Sequence, residues 1–364
     1  MPTLLVIRPT GMGDLLMGLP ALRALRRGFP GHRLVTTCPP DLVPLARLAG
    51  VADRFVSGPA VTGGAADPSL HRGRNAAILD EVFAEPPRGG AETIVVLKMP
   101  EADLSRRALA RRPGQLLGFG HPDVEATAGL PPYRPDDHIL DRWARLLAPA
   151  GITPDPADLY LALPWEAPGT QPDADPVPVG PGCAAPGPAA PTVLHLGAGS
   201  PSRRWPAQRW AATAAGLAAD GHAVVLTGSG AERELAAGVA AQAGLNDQVN
   251  LAGRTDVVAL ARLVRSARLV VSTDTGVPHL ATVFARPSVT IFGPTSPRQW
   301  GPPPGSQGHR VLWAGRIGLE YGPQPDPGLL LIGAEQVLGA ARDLAAVRDP
   351  DAQDLDARIA PVTR

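Results

Sequence analysis

Short apolar runs alternate with helix-like segments along almost the whole chain, and this alternation limits the folds open to it. In the first half, the apolar runs at 4–8, 33–38 and 93–99 read as strands, and the stretch 14–29 repeats leucine at helical spacing. Pro20 predicts a kink or a restart within that helix, and a further helix is predicted near 137–149. Strands that alternate with helices form parallel sheets with helices on both faces, so the pattern predicts an α/β fold.

The same alternation restarts after residues 165–191, a stretch rich in Pro, Gly and Ala without periodicity, which is typical of a linker. Strands are then predicted at 192–200, 222–230, 248–253, 267–274 and 288–293, with helices near 206–219, 231–243, 256–266 and 277–285. The chain is therefore predicted to form two parallel-sheet domains with a cleft between them. Their bounds are 1–164 for the N-terminal domain, 165–191 for the linker, 192–332 for the C-terminal domain, 333–347 for a last helix and 348–364 for a polar tail.

Composition excludes several classes of function. The 364 residues suit two domains, and 34 basic residues balance 34 acidic ones, so no overall charge attracts nucleic acid. Cys38 and Cys183 are far apart and outside any metal-binding spacing, so neither a metal site nor a disulfide framework is expected. No apolar run approaches the roughly 20 residues that span a bilayer, and we expect a cytoplasmic protein. Lys98 is the single lysine beside 33 arginines, a usage typical of a GC-rich genome.

The segment after the first strand, "RPTGMGDLL", carries the first candidate site. Ligands of open parallel sheets bind at the carboxyl ends of the strands. Gly11 and Gly13 allow a tight turn there, and Asp14 follows at the start of a helix. The pattern is not the dinucleotide fingerprint GxGxxG, because Leu16 replaces its third glycine. Asp14 is either a helix-capping acid or a carboxylate that faces the cleft and acts as a general base.

Two further candidate sites follow strands of the second half. In "GAGSPSRRWP" a glycine-serine turn and the pair Arg203 and Arg204 precede a helix near Pro206, which favours phosphate binding over a plain surface loop. After the next strand, Glu232 stands at a helix start. It either caps that helix or accepts hydrogen bonds from ribose hydroxyls.

The stretch "VVSTDTGVPHLA" carries the most informative cluster of polar residues. Asp274, Thr275 and Gly276 end a strand, and His279 lies in the first turn of the next helix. Amide N–H groups at a helix start favour phosphate oxygens, and Thr275 and His279 can add side-chain donors. The second half thus suits a nucleotide-diphosphate donor, and the first half offers one carboxylate toward an acceptor.

Five segments together resemble glycosyltransferase family 9, the ADP-heptose heptosyltransferases, over roughly residues 3–345. They are "RPTGMGDLLMGLPALRALRRGFP", "HLGAGSPSRRWP", "VVLTGSGAERELA", "NLAGRTDVVALARLVRSARLVVSTDTGVPHLA" and "FGPTSPRQWGP". The resemblance implies a GT-B architecture, in which two Rossmann-like parallel-sheet domains face a central cleft. It also implies inverting transfer of a heptose from ADP-heptose without a metal, and a final helix that crosses back to the N-terminal domain.

The resemblance also implies roles for individual residues. Asp14 matches the general base, Glu232 the ribose acid, and Arg203 stands where the family has a basic residue, often lysine, on the diphosphate. The implied donor-binding residues are Gly13, Ser200, Ser202, Arg203, Glu232, Asp274, Thr275, Gly276 and His279. The acceptor-side candidates are Thr10, Lys98 and Arg106. ADP-heptose is a co-substrate in this scheme, so no cofactor and no metal are implied.

Alternatives remain for both the reaction and the acceptor. A nucleotide-sugar 2-epimerase shares the architecture, and a nucleotide-binding module without catalysis is a second reading. The acceptor is a glycolipid such as the lipopolysaccharide core or, given the GC-rich composition, a small secondary metabolite. The arginine-rich runs 71–74 and 105–112 are acceptor-side candidates or solvated surface, and a lipid acceptor would add peripheral membrane contact. The "DAD" at 173–175 resembles a metal motif but lies in the linker.

Overall fold

The computed structural model describes residues 1–8, 11–57, 93–98, 101–161 and 190–346. These residues divide into two compact units, one formed by the described residues up to Leu161 and the other by those from 190 onward. The predicted linker, residues 165–191, lies outside the described part except for residues 190 and 191, so its bounds stay predictions. No helix among the described residues is both long and apolar enough to cross a membrane.

The first unit is built on a five-stranded parallel sheet. Its strands are β1 (Thr3–Ile7), β2 (Arg33–Thr37), β3 (Arg54–Val56), β4 (Thr93–Leu97) and β5 (Gln115–Leu117), and its helices are α1 (Met12–Met17), α2 (Leu19–Gly28), α3 (Val43–Leu48), α4 (Ala102–Ala110) and α5 (Ile139–Leu147). The strand order is β3-β2-β1-β4-β5. The order therefore reverses between β1 and β4, which pair in parallel along their whole length.

The predicted break at Pro20 is confirmed. The helix α1 ends at Met17, Gly18 separates it from α2, and Pro20 takes the second position of the new helix. A proline is tolerated in the first turn because its missing N–H has no partner within the helix there. The leucines of α2 at 19, 22 and 25 are fully buried. The leucines that recur at helical spacing in the sequence therefore form the face that packs into the core.

The second unit is also built on a five-stranded parallel sheet. Its strands are β6 (Thr192–His195), β7 (Val224–Thr227), β8 (Leu269–Thr273), β9 (Ser288–Ile291) and β10 (His309–Leu312). Its helices are α6 (Ala207–Ala219), α7 (Arg233–Gln242), α8 (Val257–Arg265), α9 (Gly276–Val283), α10 (Pro297–Trp300) and α11 (Ala334–Ala346). All strands are parallel, in the order β10-β9-β8-β6-β7. The order reverses between β6 and β8.

The strand expected at 248–253 is reduced to a single parallel bridge. Asn250 pairs with Leu226 of β7, and a short 3-10 helix over Asp247–Val249 takes the place of the first strand residues. The side chain of Asn246 starts this turn by accepting the N–H of Gln248 at 2.9 Å. Local side-chain bonds of this kind compete with the hydrogen bonds of a sheet. The prediction of a full strand from the apolar run was therefore wrong. With that bridge, the sheet follows the Rossmann strand order.

The last helix packs inside the second unit. Val337, Leu338 and Ala341 of α11 are buried in the same core cluster as the strand residues of this sheet. Gly216 of α6 leaves room for Leu338, because a Cβ at 216 would lie 2.6 Å from that side chain. The crossing back to the N-terminal domain that the resemblance implies stays a prediction for residues 334–346. Their apolar face is covered by α6 and by β9 and β10.

Candidate functional site

Asp14 lies where the strand order of the first sheet reverses. It is the third residue of α1, directly after β1, and Lys98 follows β4, the neighbouring strand. The Lys98 Nζ donates to Asp14 Oδ1, and the two side chains are only 5% and 15% exposed. Within the described part of the chain, Asp14 Oδ2 has no hydrogen bond. The carboxylate is thus bonded to Lys98 rather than to the helix start, which favours the reading of Asp14 as a functional carboxylate over a capping acid.

The surroundings of this pair are positively charged. Burial lowers the pKa of Lys98, and the positive charges of Arg8 and Arg142 lower it further, whereas Asp14 raises it. Arg142 is held by the carbonyls of Asp137 and Pro135 and by the hydroxyl of Tyr133. Asp14 is therefore the carboxylate on which Lys98 depends for its charge.

The other acceptor-side candidates do not join this pair. Thr10 lies outside the described residues, and its role stays a prediction. Arg106 is exposed on α4, where its guanidinium donates to the carbonyl of Asp123 at 3.0 Å. Gly13, predicted as donor-binding, is the residue before Asp14 in α1. The structure thus brings Lys98 to Asp14 and leaves Arg106 bonded to a surface loop.

Arg203 is the centre of the polar network at the reversal of the second sheet. It belongs to the short 3-10 helix Pro201–Arg203 after β6, and Asp274 follows the neighbouring strand β8. Its Nη1 donates to the carbonyl of Asp274 at 3.2 Å and lies 3.8 Å from the carboxylate of that residue. Its Nη2 lies 2.5 Å from Glu320 Oε1. The guanidinium therefore holds two carboxylates, one buried and one half-exposed.

Asp274 is buried and has a second partner that the sequence did not reveal. The hydroxyl of Thr295 donates to Asp274 Oδ2, the same oxygen that faces Arg203. Buried carboxylates are stable only when they are paired and hydrogen-bonded, and here a cation and a hydroxyl meet that need. Asp274 thus serves to fix the direction of the Arg203 guanidinium.

Ser200 and Ser202 are directed into the protein. Each is 1% exposed. The hydroxyl of Ser202 donates to the carbonyl of Glu320 at 2.6 Å, so its oxygen accepts the proton of Ser200 across 2.8 Å. Both hydroxyl protons are used in tying the loop of Glu320 to the loop of Arg203. In this conformation the two serines support the predicted site and do not face a ligand.

Thr275, Gly276 and His279 form the start of α9. The Thr275 hydroxyl accepts the N–H of Val277 at 3.4 Å and so caps this helix, a bond that a ligand oxygen would have to replace. The ring of His279 is 5% exposed and meets the ring of Trp300 edge to face at 6.1 Å. The cluster is therefore built as predicted, and its contact with phosphate stays a prediction.

Glu232 caps a helix, the first of the two roles that the sequence left open, and its contact with ribose stays a prediction. Its Oε2 accepts the N–H of Ser229 at 2.8 Å and the hydroxyl of Ser229. This is a capping box ahead of α7, so the helix-capping reading is confirmed. The carboxylate also lies over two glycines, because a Cβ at Gly197 would be 3.3 Å from Oε2 and one at Gly228 would be 2.9 Å from the Cβ of Glu232.

His195 lies beside Glu232, and the sequence analysis did not single it out. It is the last residue of β6, and a Cβ at Gly197 would lie 3.1 Å from its Nε2, beside Glu232. Burial lowers the pKa of His195 to about 4 although Glu232 opposes the shift, so the ring is neutral at pH 7. A histidine between an apolar strand and a glycine turn was the available signal. Thr295 lies in a segment that carries the family resemblance but was not singled out, and Glu320 lies in a segment without periodicity.

No group of three or more histidine, cysteine or acidic side chains in the described ranges is arranged to hold a metal ion. Cys38 is fully buried, and burial raises the pKa of its thiol to about 11, so it is a core residue and not a metal ligand.

The chain is similar in sequence to known heptosyltransferases. The model of glycosyltransferase family 9 (heptosyltransferase) matches residues 131–316. A lipooligosaccharide heptosyltransferase 2 of Haemophilus influenzae is 35% identical over 108 residues, which are 28% of this chain and 30% of that protein. A lipopolysaccharide heptosyltransferase 2 of Escherichia coli is 34% identical over 100 residues, 27% of this chain and 29% of that protein. The chain thus spans about 30% of the length of the curated relatives it matches.

Solved structures cover the chain more fully. A family 9 glycosyltransferase from Veillonella parvula superposes with a TM-score of 0.68 at 21% identity, over 95% of this chain and 97% of that one. The E. coli heptosyltransferase WaaC with ADP gives a TM-score of 0.61 at 19% identity, over 94% and 98%. These likenesses confirm the predicted fold of two Rossmann-like domains, the GT-B class.

Proposed function

The chain belongs to glycosyltransferase family 9, and on that premise we propose that it is an inverting glycosyltransferase that moves heptose from ADP-heptose to an acceptor hydroxyl. The observation that carries the proposal is the Asp14 carboxylate at the reversal of the first sheet. Lys98 fixes one of its oxygens, and the other is left to accept a proton. A general base needs such a fixed orientation toward the hydroxyl that it deprotonates.

The donor binds the second unit in this proposal. As the sugar leaves ADP, negative charge grows on the diphosphate. Arg203, held in direction by Asp274, and the N–H groups at the start of α9 stabilise that charge. The support is that two neighbouring strands, β6 and β8, present these groups at one edge of the sheet.

Inversion follows from this division of roles. Asp14 takes the proton of the acceptor hydroxyl while the acceptor oxygen bonds to the anomeric carbon, and the bond from that carbon to the diphosphate breaks on the opposite face. One displacement inverts the anomeric configuration. No residue of the proposed site acts as a nucleophile, so the scheme needs no covalent intermediate.

The transfer is proposed to proceed without a metal ion, because a guanidinium and helix-start amides can neutralise a diphosphate. We expect full activity after treatment with EDTA and removal of the chelated metal by gel filtration. Loss of turnover that Mg²⁺ restores would contradict this and would make Asp274 the first candidate ligand. A chelation control with a Mg²⁺-dependent kinase in the same buffer verifies that the metal was removed.

The acceptor is proposed to be a hydroxyl of either a lipopolysaccharide-core glycolipid or a small secondary metabolite. The transfer is proposed to take place in the cytoplasm. The relatives named above act on lipooligosaccharide or lipopolysaccharide by their names, which supports the first class. The GC-rich composition supports the second. A glycolipid acceptor would bring the enzyme to a membrane surface without a membrane-spanning helix.

The deciding experiment is incubation of the purified chain with ADP-heptose and a panel of both acceptor classes. We expect release of ADP that depends on the acceptor, a product heavier by one heptose, and an inverted anomeric configuration by NMR. Epimer formation from donor alone would favour the 2-epimerase. Tight ADP-heptose binding with no turnover on any acceptor would favour the non-catalytic nucleotide-binding module.

A further inference from the structure

Lys98 is the single lysine of the chain, and it lies at the proposed general base. Arginine fills the other 33 of the 34 basic positions. Arginine also supplies the cation of ion pairs elsewhere in the first unit, such as Arg26 with Asp53 at 2.8 Å. Only where the cation meets Asp14 does the chain have an ammonium group in place of a guanidinium. The difference between these two cations matters for a carboxylate that acts as a base.

The two strands at the reversal of the first sheet hold Lys98 beside Asp14. The N–H of Lys98 donates to the carbonyl of Ile7, the last residue of β1, at 3.1 Å. Asp14 lies in α1, the helix that follows β1. The Lys98 Nζ donates to Asp14 Oδ1, and the two side chains are 5% and 15% exposed. The backbone of the neighbouring strand thus delivers the ammonium to one carboxylate oxygen.

An arginine at position 98 would hold Asp14 in a different way. An ammonium is a compact point charge that can bond a single oxygen, whereas a guanidinium is a planar fork that matches both oxygens of a carboxylate. Within the described part of the chain, Asp14 Oδ2 has no hydrogen bond. A guanidinium fork would occupy this second oxygen, which the proposed mechanism needs for the proton of the acceptor.

We propose that Lys98 is a positioning residue, required as lysine, that holds Asp14 Oδ1 and leaves Oδ2 to take the proton of the acceptor hydroxyl. This deepens the proposed function, on which it rests, by naming the group that orients the base. In the transfer step the acceptor O–H bond breaks and its proton goes to Oδ2. The acceptor oxygen bonds to the anomeric carbon, and the diphosphate leaves with the electron pair of the broken bond. Lys98 keeps its own proton throughout.

The charge of Lys98 has an upper pH limit that an arginine would not have. Burial lowers the pKa of Lys98, Asp14 raises it, and Arg8 and Arg142 lower it further. Arg8 follows β1 and Arg142 lies on α5, so two elements bring cations to the ammonium and α1 brings the carboxylate. As pH rises through this lowered pKa, the ammonium loses its proton and with it the ion pair. Turnover is therefore expected to fall on the alkaline side as Lys98 deprotonates.

The first measurement is an NMR pH titration of the full chain, made with lysine that is isotope-labelled at its ε-carbon. The label gives one signal, because Lys98 is the only lysine. The wild-type signal is expected to titrate below the usual range of a lysine. The signal of Asp14→Asn is expected to titrate lower still, because the charge that raises the pKa is removed. In the wild type, kcat should fall on the alkaline side with the midpoint of the NMR signal.

The second measurement compares turnover in three variants. Lys98→Met removes the ammonium at similar volume, and Lys98→Arg keeps the charge but presents a fork. Arg26→Met is the matched control, because it removes the cation of a partly exposed ion pair in the same unit. Calorimetry with ADP and the melting temperature are measured on the same preparations, so a loss of turnover can be separated from a loss of donor binding or of folding.

The two Lys98 variants are expected to lose turnover and to keep donor binding. In Lys98→Met, kcat should fall roughly tenfold to a hundredfold, because a misplacement of about 1 Å can cost that much. In Lys98→Arg, kcat should also stay about tenfold or more below the wild type, without the alkaline fall. Arg26→Met should match the wild type, and ADP affinity should stay within about twofold in all three variants.

Three results would overturn this inference and leave the proposed donor site standing. The first is wild-type kcat in Lys98→Met or in Lys98→Arg. The second is an NMR titration that Asp14→Asn does not change, and the third is a wild-type kcat that stays constant over the pH range in which Lys98 titrates. The last two need no Lys98 variant, so they decide the question even where those variants fail to fold. Absence of wild-type turnover on every acceptor would overturn the proposed function together with this inference.

Discussion

Asp14 in the first unit and Glu232 in the second are both carboxylates at the carboxyl edge of a parallel sheet, yet they are held in different ways. Asp14 is fixed by the buried ammonium of Lys98, which comes from a strand 84 residues away in sequence. Glu232 is fixed by Ser229, three residues before it. Each arrangement binds one carboxylate oxygen and leaves the other available.

The two arrangements suit the two carboxylates to different tasks. Asp14 and Lys98 share a largely buried position, where electrostatic interactions are strong and removing one partner is costly. This pairing fixes the direction of the Asp14 carboxylate, which a general base needs. Glu232 is held by Ser229 in a partly exposed capping box, which suits steady hydrogen bonding to a ligand.

The largest effect is expected from Asp14→Asn, which keeps the shape and removes the base. Turnover with ADP-heptose and acceptor should fall about a hundredfold or more, the scale of a lost general base, while ADP affinity stays within about twofold. Asn is preferred to Ala because its oxygen can still accept from Lys98. Steady-state kinetics and calorimetry on one preparation measure both quantities.

The control for this variant is Asp103→Asn, an acid on α4 whose side chain is 82% exposed. It should leave turnover and melting temperature unchanged. Near-normal turnover in Asp14→Asn would mean that Asp14 is only a structural partner of Lys98. The contrast with Glu232 would then not hold.

A smaller effect is expected from Arg203→Ala, and it falls on ADP affinity where that of Asp14→Asn falls on turnover. ADP affinity should fall about tenfold to a hundredfold, because a charge-assisted hydrogen bond to phosphate is lost. Its neighbour Arg204 is exposed and supplies a matched control, since Arg204→Ala removes the same charge one residue away. Equal losses of ADP affinity in the two variants would mean that the positive charge of this loop matters and not the orientation of the Arg203 guanidinium.

The smallest effect is expected from Glu320→Gln and has the opposite sign. Glu320 now occupies Arg203 Nη2, so the donor diphosphate must displace it. Removing that negative charge should tighten ADP binding by about twofold to fivefold, as expected for a half-exposed ion pair. Unchanged or weaker binding would mean that Glu320 stays on Arg203 when the donor is bound.

The sequence predicted most of what periodicity controls. The strands β1, β2, β4, β6, β7, β8 and β9 and most long helices were found, because their apolar residues recur at a clear spacing. The three-residue strands β3 and β5 were missed, as was β10, whose residues are all half-buried. Short edge strands bury too few side chains to leave a pattern.

At the site, sequence reasoning found the residues that follow strands, Lys98 among them, but not the pairs that they form. Asp14 and Arg203 stand in recognisable turns, but the Lys98 ammonium that fixes Asp14 arrives from a different strand. Glu320 reaches Arg203 from 117 residues away. Such pairs depend on the strand order of the sheet, which a pattern of apolar residues does not specify.

Hydrogen exchange with and without ADP tests most directly the central claim that the second unit holds the donor. Saturating ADP should slow exchange most strongly in peptides covering 195–203, 228–234 and 274–280, where backbone N–H groups and helix starts face the proposed ligand. The peptide covering 11–18 around Asp14 should change least. Strong protection at 11–18 with none in the three second-unit peptides would contradict the account and place the nucleotide on the first unit.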